Sequence, residues 1–237
     1  MERKKFLRTS FGLLSVATLI NACKKDDAGS TSGGNGNCIE TATEVEGPYP
    51  YVGGEITNPL QRSDVTEGLT GVPLSLTFNV INVNANCEAV ANARVDIWHC
   101  NKDGYYSGYG NQTGGSLGTQ SYVGQTWLRG YQLTGTNGNA TFDTIYPGWY
   151  MGRATHIHME VFVNGVLKKT AQITFPETIS DTVHLSALYA AHGINSTRNT
   201  SDGIFANSAT DLANETVALT GSVASGYAGI YTIGIAL

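Results

Sequence analysis

The sequence predicts an all-β fold, an antiparallel β-sandwich, and three observations carry that prediction. Short runs of alternating apolar and polar residues recur along the chain, as in half-buried strands. Asn137-Gly138 and Asn164-Gly165 sit between such runs, and Asn-Gly is a preferred two-residue hairpin turn. The 29 glycines, among many short strand signals, suit a turn-rich sandwich better than alternating α and β units.

The first strand is expected at residues 74–80, Leu-Ser-Leu-Thr-Phe-Asn-Val, and the second at residues 93–97, where the alternation is again clean. Further strands are expected at residues 126–133, 140–145, 155–163, 170–175 and 229–235. One short helix is expected over residues 181–191, with Leu185, Leu188 and Tyr189 on one face. Residues 103–125 hold seven glycines and four tyrosines with no sustained period. A loop this long in a compact domain usually has a functional reason, although composition alone allows a surface excursion equally well. No internal repeat is visible.

The first 22 residues are an address. Arg3, Lys4, Lys5 and Arg8 form a basic region, followed by an apolar run too short to span a bilayer, the pattern of a signal peptide. Its end, Leu19-Ile20-Asn21-Ala22-Cys23, resembles a bacterial lipobox, which makes Cys23 the expected lipidated residue. Cys23-Lys24-Lys25-Asp26-Asp27 is similar to surface-export tags of Bacteroidetes lipoproteins, so the expected location is the outer membrane or the cell surface. The signal is expected over 1–22, a Gly/Ser/Asn-rich flexible tether over 23–42, and one domain over 43–237. Loss of the signal removes four cations and one acid and takes the formal charge from −5 to −8. An acidic body without basic runs argues against nucleic acid as a partner. Three cysteines then remain. Cys87 and Cys100 flank a strand and are the expected disulfide, with Cys38 left in the tail; an unpaired, buried Cys100 is the alternative.

The chemistry is concentrated in residues 147–158, Pro-Gly-Trp-Tyr-Met-Gly-Arg-Ala-Thr-His-Ile-His. Residues two apart on a strand share a face, so His156 and His158 project together while Ile157 points the other way. Such a pair alone occurs in zinc enzymes, copper proteins and cupins, and often by chance. Nearby tyrosines change the chemistry. A phenol, with a pKa near 10, ligates only where a strongly Lewis-acidic ion removes its proton. Two imidazoles and two phenolates would describe a non-haem Fe(III) site.

Residues 98–108, Trp-His-Cys-Asn-Lys-Asp-Gly-Tyr-Tyr-Ser-Gly, supply the second tyrosine. Together with residues 145–158 they resemble the intradiol ring-cleavage dioxygenases, the family of catechol and protocatechuate dioxygenases, and in particular its extracellular single-domain branch. Tyr106 stands at the family's first tyrosine ligand and Tyr150, in Pro147-Gly148-Trp149-Tyr150, at its second. Arg153, His156 and His158 match its Arg-x-x-His-x-His. Glu46-Gly47-Pro48-Tyr49 looks like the segment beside that family's active site, residues 62–68 look like the stretch before its first core strand, and Gln172 matches a glutamine near its substrate. Residues 199–205 are similar to the extracellular branch.

The resemblance implies Fe(III) held by Tyr106, Tyr150, His156 and His158. It implies that a catechol and O2 are converted to a muconate-type diacid, with Tyr150 leaving the metal and Arg153 stabilising negative charge on the ring. Tyr49, Trp149 and Gln172 are the expected substrate-pocket residues. Membrane contact is expected only through the lipid anchor, and oligomeric state leaves no sequence signal. Two other readings stand beside this one: a surface lipoprotein whose sandwich binds a ligand or glycan and keeps a vestigial metal site, and a zinc or copper site on His156 and His158 alone. His99 is expected to be a partly exposed strand-end residue, His184 and His192 surface residues, and Asp202-Gly203 a turn. Arg129 is expected either to meet a substrate charge or to form a structural ion pair.

Overall fold

The computed structural model describes residues 38–113 and 117–237; the signal segment, Cys23 and most of the tether lie outside them. Among the described residues eleven strands form, in chain order β1 (Pro73–Asn82), β2 (Glu88–Ala89), β3 (Arg94–Trp98), β4 (Gln112–Thr113), β5 (Thr119–Gln120), β6 (Arg129–Leu133), β7 (Asn139–Ile145), β8 (His156–Val163), β9 (Val166–Thr174), β10 (Leu219–Ser222) and β11 (Gly226–Ile235). One sheet runs β10-β11-β1, with β7 and β2 along the remaining edge of β1; the other runs β6-β3-β8-β9. Every pairing is antiparallel except β1 with β11. The sandwich is therefore as expected, with strand ends moved by a few residues. Helix α1 covers Glu177–His184 and starts earlier than predicted; a second helix, α2 (Ala209–Glu215), was not anticipated.

Alternation decides the layers. Leu74, Leu76, Phe78 and Val80 of β1 and Phe142 of β7 meet Val95, Ile97, Ile157, Met159, Val161 and Ile173 of the facing sheet in one apolar core. The opposite face of β3, β8 and β9 is just as buried but polar: Asp96, His156, His158, Glu160, Gln172 and Thr174. An N-terminal strap covers it. Glu44 N donates to Thr170 O (2.9 Å), Gln172 Nε2 to Val45 O (2.8 Å) and Arg62 N to Tyr131 O (3.1 Å).

Two expectations about this strap need correction. Residues 38–42, expected in the tether, belong to the folded unit: Thr41 is buried, donates to Gly234 O (3.0 Å) and accepts from Gly234 N (2.9 Å). The disulfide joins Cys38 to Cys87, with Cα atoms 5.6 Å apart, and not Cys87 to Cys100. Cys100 is a free, buried thiol beside Trp98 and Tyr106. The reason is strand length. Cys87 and Cys100 lie beyond opposite ends of β3, which at about 3.3 Å per residue holds its ends well beyond the roughly 7 Å that a disulfide can bridge.

Peptide mapping should therefore recover a 38–87 cross-link and leave Cys100 as a thiol; an 87–100 cross-link would overturn the pairing. Cys87→Ala should lower stability by about 2–4 kcal/mol, read from the urea midpoint. A second expectation concerns pH. Glu215 closes α2, and its burial, then the charges of Glu44 and Asp211, push its carboxyl up to about 8. A carboxyl raised on folding favours the protonated native state, so its stabilisation is complete below the unfolded pKa and is lost as pH rises through about 8. Glu215→Gln should flatten that decline in a series of urea midpoints.

Candidate metal centre

His156 and His158 project from β8 into the polar layer, as the alternation predicts, and both are buried. Their Nε2 atoms lie 3.0 Å apart. His158 pairs across the sheet with Trp98 of β3 and Gln172 of β9, and the Trp98 indole stacks on its imidazole at 4.9 Å with 5° between planes. The backbone of the strap presses on the other side. Gly47 has φ +73°, and a Cβ there would stand 2.9 Å from His158 Cε1. Only glycine fits that approach without displacing the ring.

Two loops bring in the tyrosines. Tyr106 is fully buried, and its phenol oxygen lies 3.3 Å from His156 Nε2. The Gln112 side chain grips its backbone from both sides, accepting from Tyr106 N (2.6 Å) and donating to Tyr106 O (2.7 Å). Tyr150 is partly buried, with its ring 5.7 Å from that of Tyr106 and 5.5 Å from that of His156. The loops touch backbone to backbone: Gly148 N donates to Asn101 O (3.0 Å), and a Cβ on Gly104 would lie 2.0 Å from Trp149 O. The glycine before the Tyr105-Tyr106 pair is thus a contact surface for the loop that carries Tyr150. Tyr49 of the strap completes the aromatic wall, stacked on Tyr106 at 4.6 Å.

The donor set fits a metal ion. His156 Nδ1 donates to Ala154 O (2.6 Å), which leaves the Nε2 lone pair free, the tautomer a ligand needs. Two nitrogens 3.0 Å apart match donors at right angles on one ion, each bond about 2.1 Å. Among the described residues no cluster of three or more His, Cys, Asp and Glu side chains could hold a metal, so an ion on this histidine pair would need the tyrosines as further donors. Without an ion the four groups are neutral. Burial, then Tyr150, holds the Tyr106 phenol well above its usual range, and burial pushes Tyr150 up to about 12 against the pull of Arg153. Burial, then Arg153, lowers His156 to about 3, and burial, then His156, holds His158 well down. A phenol raised in this way ligates only where a cation of high charge takes the place of its proton.

Arg153 sits at the edge of the set. Its Nη1 approaches the Tyr150 hydroxyl at 3.5 Å, its Nη2 donates to Gln172 Oε1 (2.6 Å), and its Nε donates to Asp202 Oδ2 (2.9 Å). Asp202, expected only as a turn residue, is fully buried and pairs with the half-buried Arg153. Gln112 was likewise unforeseen. Trp149 is directed elsewhere, stacked on His192 at 4.0 Å with Nε1 donating to Gly193 O (2.9 Å). His99 is fully buried, not partly exposed, because its ring bridges Cys100 O and Thr144 Oγ1, each at 2.8 Å. His184 is also buried rather than on the surface, its Nε2 3.3 Å from Pro147 O. Arg129 takes the structural alternative: it is buried 3.9 Å from Glu55 and donates to Ser107 and to Tyr49 O. A cavity of about 360 Å³ lined by Tyr51, Val52, Gln125 and Arg129 includes none of the four donors.

Gly47→Ala should push the His158 ring off its position and lower metal affinity about 10-fold or more, measured by titration with Fe(III). His158→Ala should abolish stoichiometric loading, and normal loading of both variants would remove His158 from the ligand set.

No family model matches the chain. It is 26% identical over 150 residues to catechol 1,2-dioxygenase 1 of Acinetobacter lwoffii, an alignment covering 56% of this chain and 45% of that protein. The chain thus spans about half the length of this curated relative. Its structure is similar to an intradiol ring-cleavage dioxygenase from Tetranychus urticae, with TM-score 0.73 and 28% identity over 84% of this chain and 95% of that one. The dioxygenase domain of a carbohydrate-binding fusion protein from a cellulolytic Streptomyces shares the fold, with TM-score 0.60 and 23% identity over 84% of this chain and 99% of that one. So does 3-chlorocatechol 1,2-dioxygenase of Rhodococcus opacus, with TM-score 0.56 and 18% identity over 83% and 72%. The sandwich and these likenesses together give the chain the fold of the intradiol ring-cleavage dioxygenases and a resemblance to that family.

Proposed function

We propose that the protein is a non-haem Fe(III) dioxygenase that cleaves a catechol between its two hydroxyl-bearing carbons. One catechol and one O2 combine to give a muconate-type dicarboxylic acid, with both oxygen atoms retained. The observation that carries this reading is the convergence of Tyr106, His156 and His158 on one point, with Tyr150 and Arg153 at its rim. Tyr106, Tyr150, His156 and His158 would hold the ion, which when bound supplies Lewis acidity to the catechol oxygens and a template for O2.

The chain's own groups divide the remaining work. Tyr106, clasped by Gln112, and the two histidines on β8 are rigid and keep the site's shape. Tyr150 is only partly buried and stands on a turn, so its phenolate can turn aside and take a proton from the substrate hydroxyl. Its high intrinsic proton affinity makes it a capable base once ionised. Arg153 presents a fixed positive charge beside that hydroxyl, where it can stabilise negative charge developing on the ring. Tyr49 and the stacked Trp98 keep water from the donors.

The Cys38–Cys87 bridge supports an oxidising location, consistent with an exported protein held at the outer membrane through Cys23. Iron-loaded protein should be coloured by tyrosinate-to-iron charge transfer and should consume oxygen with at least one of catechol, hydroxyquinol, protocatechuate and a lignin-derived catechol. Tyr106→Phe should lose most of the visible band, and Arg153→Ala should keep iron and colour while kcat falls about 10²–10³-fold. An iron-replete, colourless protein inert to every catechol would leave the ligand-binding sandwich as the better reading.

A further inference from the structure

Asp202 lies between two single turns of 3-10 helix, residues 199–201 and 205–207, and its side chain is fully buried. Four N–H groups converge on it. Oδ1 accepts from Ile204 N (2.8 Å) and Phe205 N (3.2 Å), bonds that close its own turn. Oδ2 faces the metal centre and accepts from Arg153 Nε (2.9 Å) and Ala154 N (2.6 Å). One oxygen thus serves the loop and the other serves the arginine.

The bond to Nε limits what the guanidinium can do. Nε is fixed by Asp202 and Nη2 by Gln172, whose own Nε2 is held by Val45 O on the strap. The Arg153 carbonyl is tied by Asn195 Nδ2 (2.8 Å), and the Phe205 ring lies 5.8 Å from the guanidinium carbon. A planar guanidinium with two of its nitrogens anchored has a single orientation left. Nη1 is the end that remains, and it is the end 3.5 Å from the Tyr150 hydroxyl.

We propose that Asp202 is the positioning residue for Arg153, fixing the guanidinium so that Nη1 addresses the reacting position beside Tyr150. The proposal rests on the role given to Arg153 above. Asp202 bonds to Arg153, Ala154, Ile204 and Phe205 and to none of the four donors. Its effect travels through the arginine, and that separates it from a residue that merely stitches the loop. A carboxylate is needed because an asparagine amide has only one acceptor oxygen, and its NH2 would face two of the four donors.

A double-mutant cycle tests this. Asp202→Asn should lower kcat about 10- to 100-fold with KM changed less than about 2-fold and with iron content and visible band retained. In an Arg153→Ala background the same substitution should cost less than about 2-fold, because the group it positions is gone. Equal losses in both backgrounds would overturn the proposal. A second measurement needs neither iron nor turnover. In 15N spectra of the metal-free full chain, the Arg153 Nε–H signal, identified by its loss in Arg153→Ala, should be protected from exchange and should shift or vanish in Asp202→Asn. An unshifted, equally protected signal would overturn the proposal. If Asp202→Asn does not fold, the wild-type signal decides, since exchange as fast as in free arginine excludes the anchoring bond. Failure of the wild type to oxidise any catechol would instead remove the proposed function, with the Nε–H signal still deciding the Asp202 contact.

Discussion

Strand β8 is buried on both faces by chemically opposite layers, and the site depends on that constraint. Ile157, Met159 and Val161 lock the strand into the apolar core, while His156, His158 and Glu160 enter a polar layer closed to solvent. A strand fixed by its apolar face cannot slip by one residue without reversing both sets. The histidines therefore inherit their placement from core packing and need no ion to set it. Burying imidazoles carries a desolvation cost, which appears as the lowered pKa values of both rings. The strap sustains that cost by covering the layer with backbone groups that satisfy Gln172 and Thr170 and by pressing Gly47 against His158.

The tyrosines obey a different rule. They come from loops, where no strand fixes direction, so their placement depends on how the loops brace each other. Gly104 and Gly148 allow two backbones to meet closer than any side chain would permit. Gln112 then holds Tyr106, and Arg129 holds Ser107 beside it. Arg129 and its Glu55 partner are a buried ion pair whose service is to fix a loop. The long glycine- and tyrosine-rich stretch is thus no surface excursion over its first half, since it supplies Tyr106 and the residue that clasps it.

The sandwich, both sheet faces and the histidine pair were legible because a period of two in the sequence is a period of two in space. Tyr150 and Arg153 stood out beside the histidine pair, but Tyr106 and Gln172 were legible only through resemblance, since nothing in composition says that a loop tyrosine will meet a histidine fifty residues away. What stayed hidden depends on long-range proximity without local pattern. The Cys38–Cys87 bridge needs the strap to run back along β11, and no spacing rule reveals that. His99 and His184 were misjudged for a related reason: a histidine satisfied inside the core reads the same in sequence as one at the surface. Asp202 sits in a run whose turn chemistry is obvious and conceals its second task.

The two tyrosines differ in their surroundings, and that difference bears on the roles proposed for them. Tyr106 is fully buried, clasped at its backbone, and flanked by Tyr49 and His156. Moving it would break the Gln112 bonds and open the aromatic wall. Tyr150 stands on a turn, is partly exposed, and has Arg153 as its charged neighbour. Burial raises both phenols, and Arg153 opposes the rise at Tyr150, which stands at about 12. The phenol that stands on a turn is therefore also the one freer to move. A site of the proposed kind, holding an ion firmly and still opening a position for a substrate, would need that inequality of mobility, and here it would arise from one clasping glutamine and one anchored arginine.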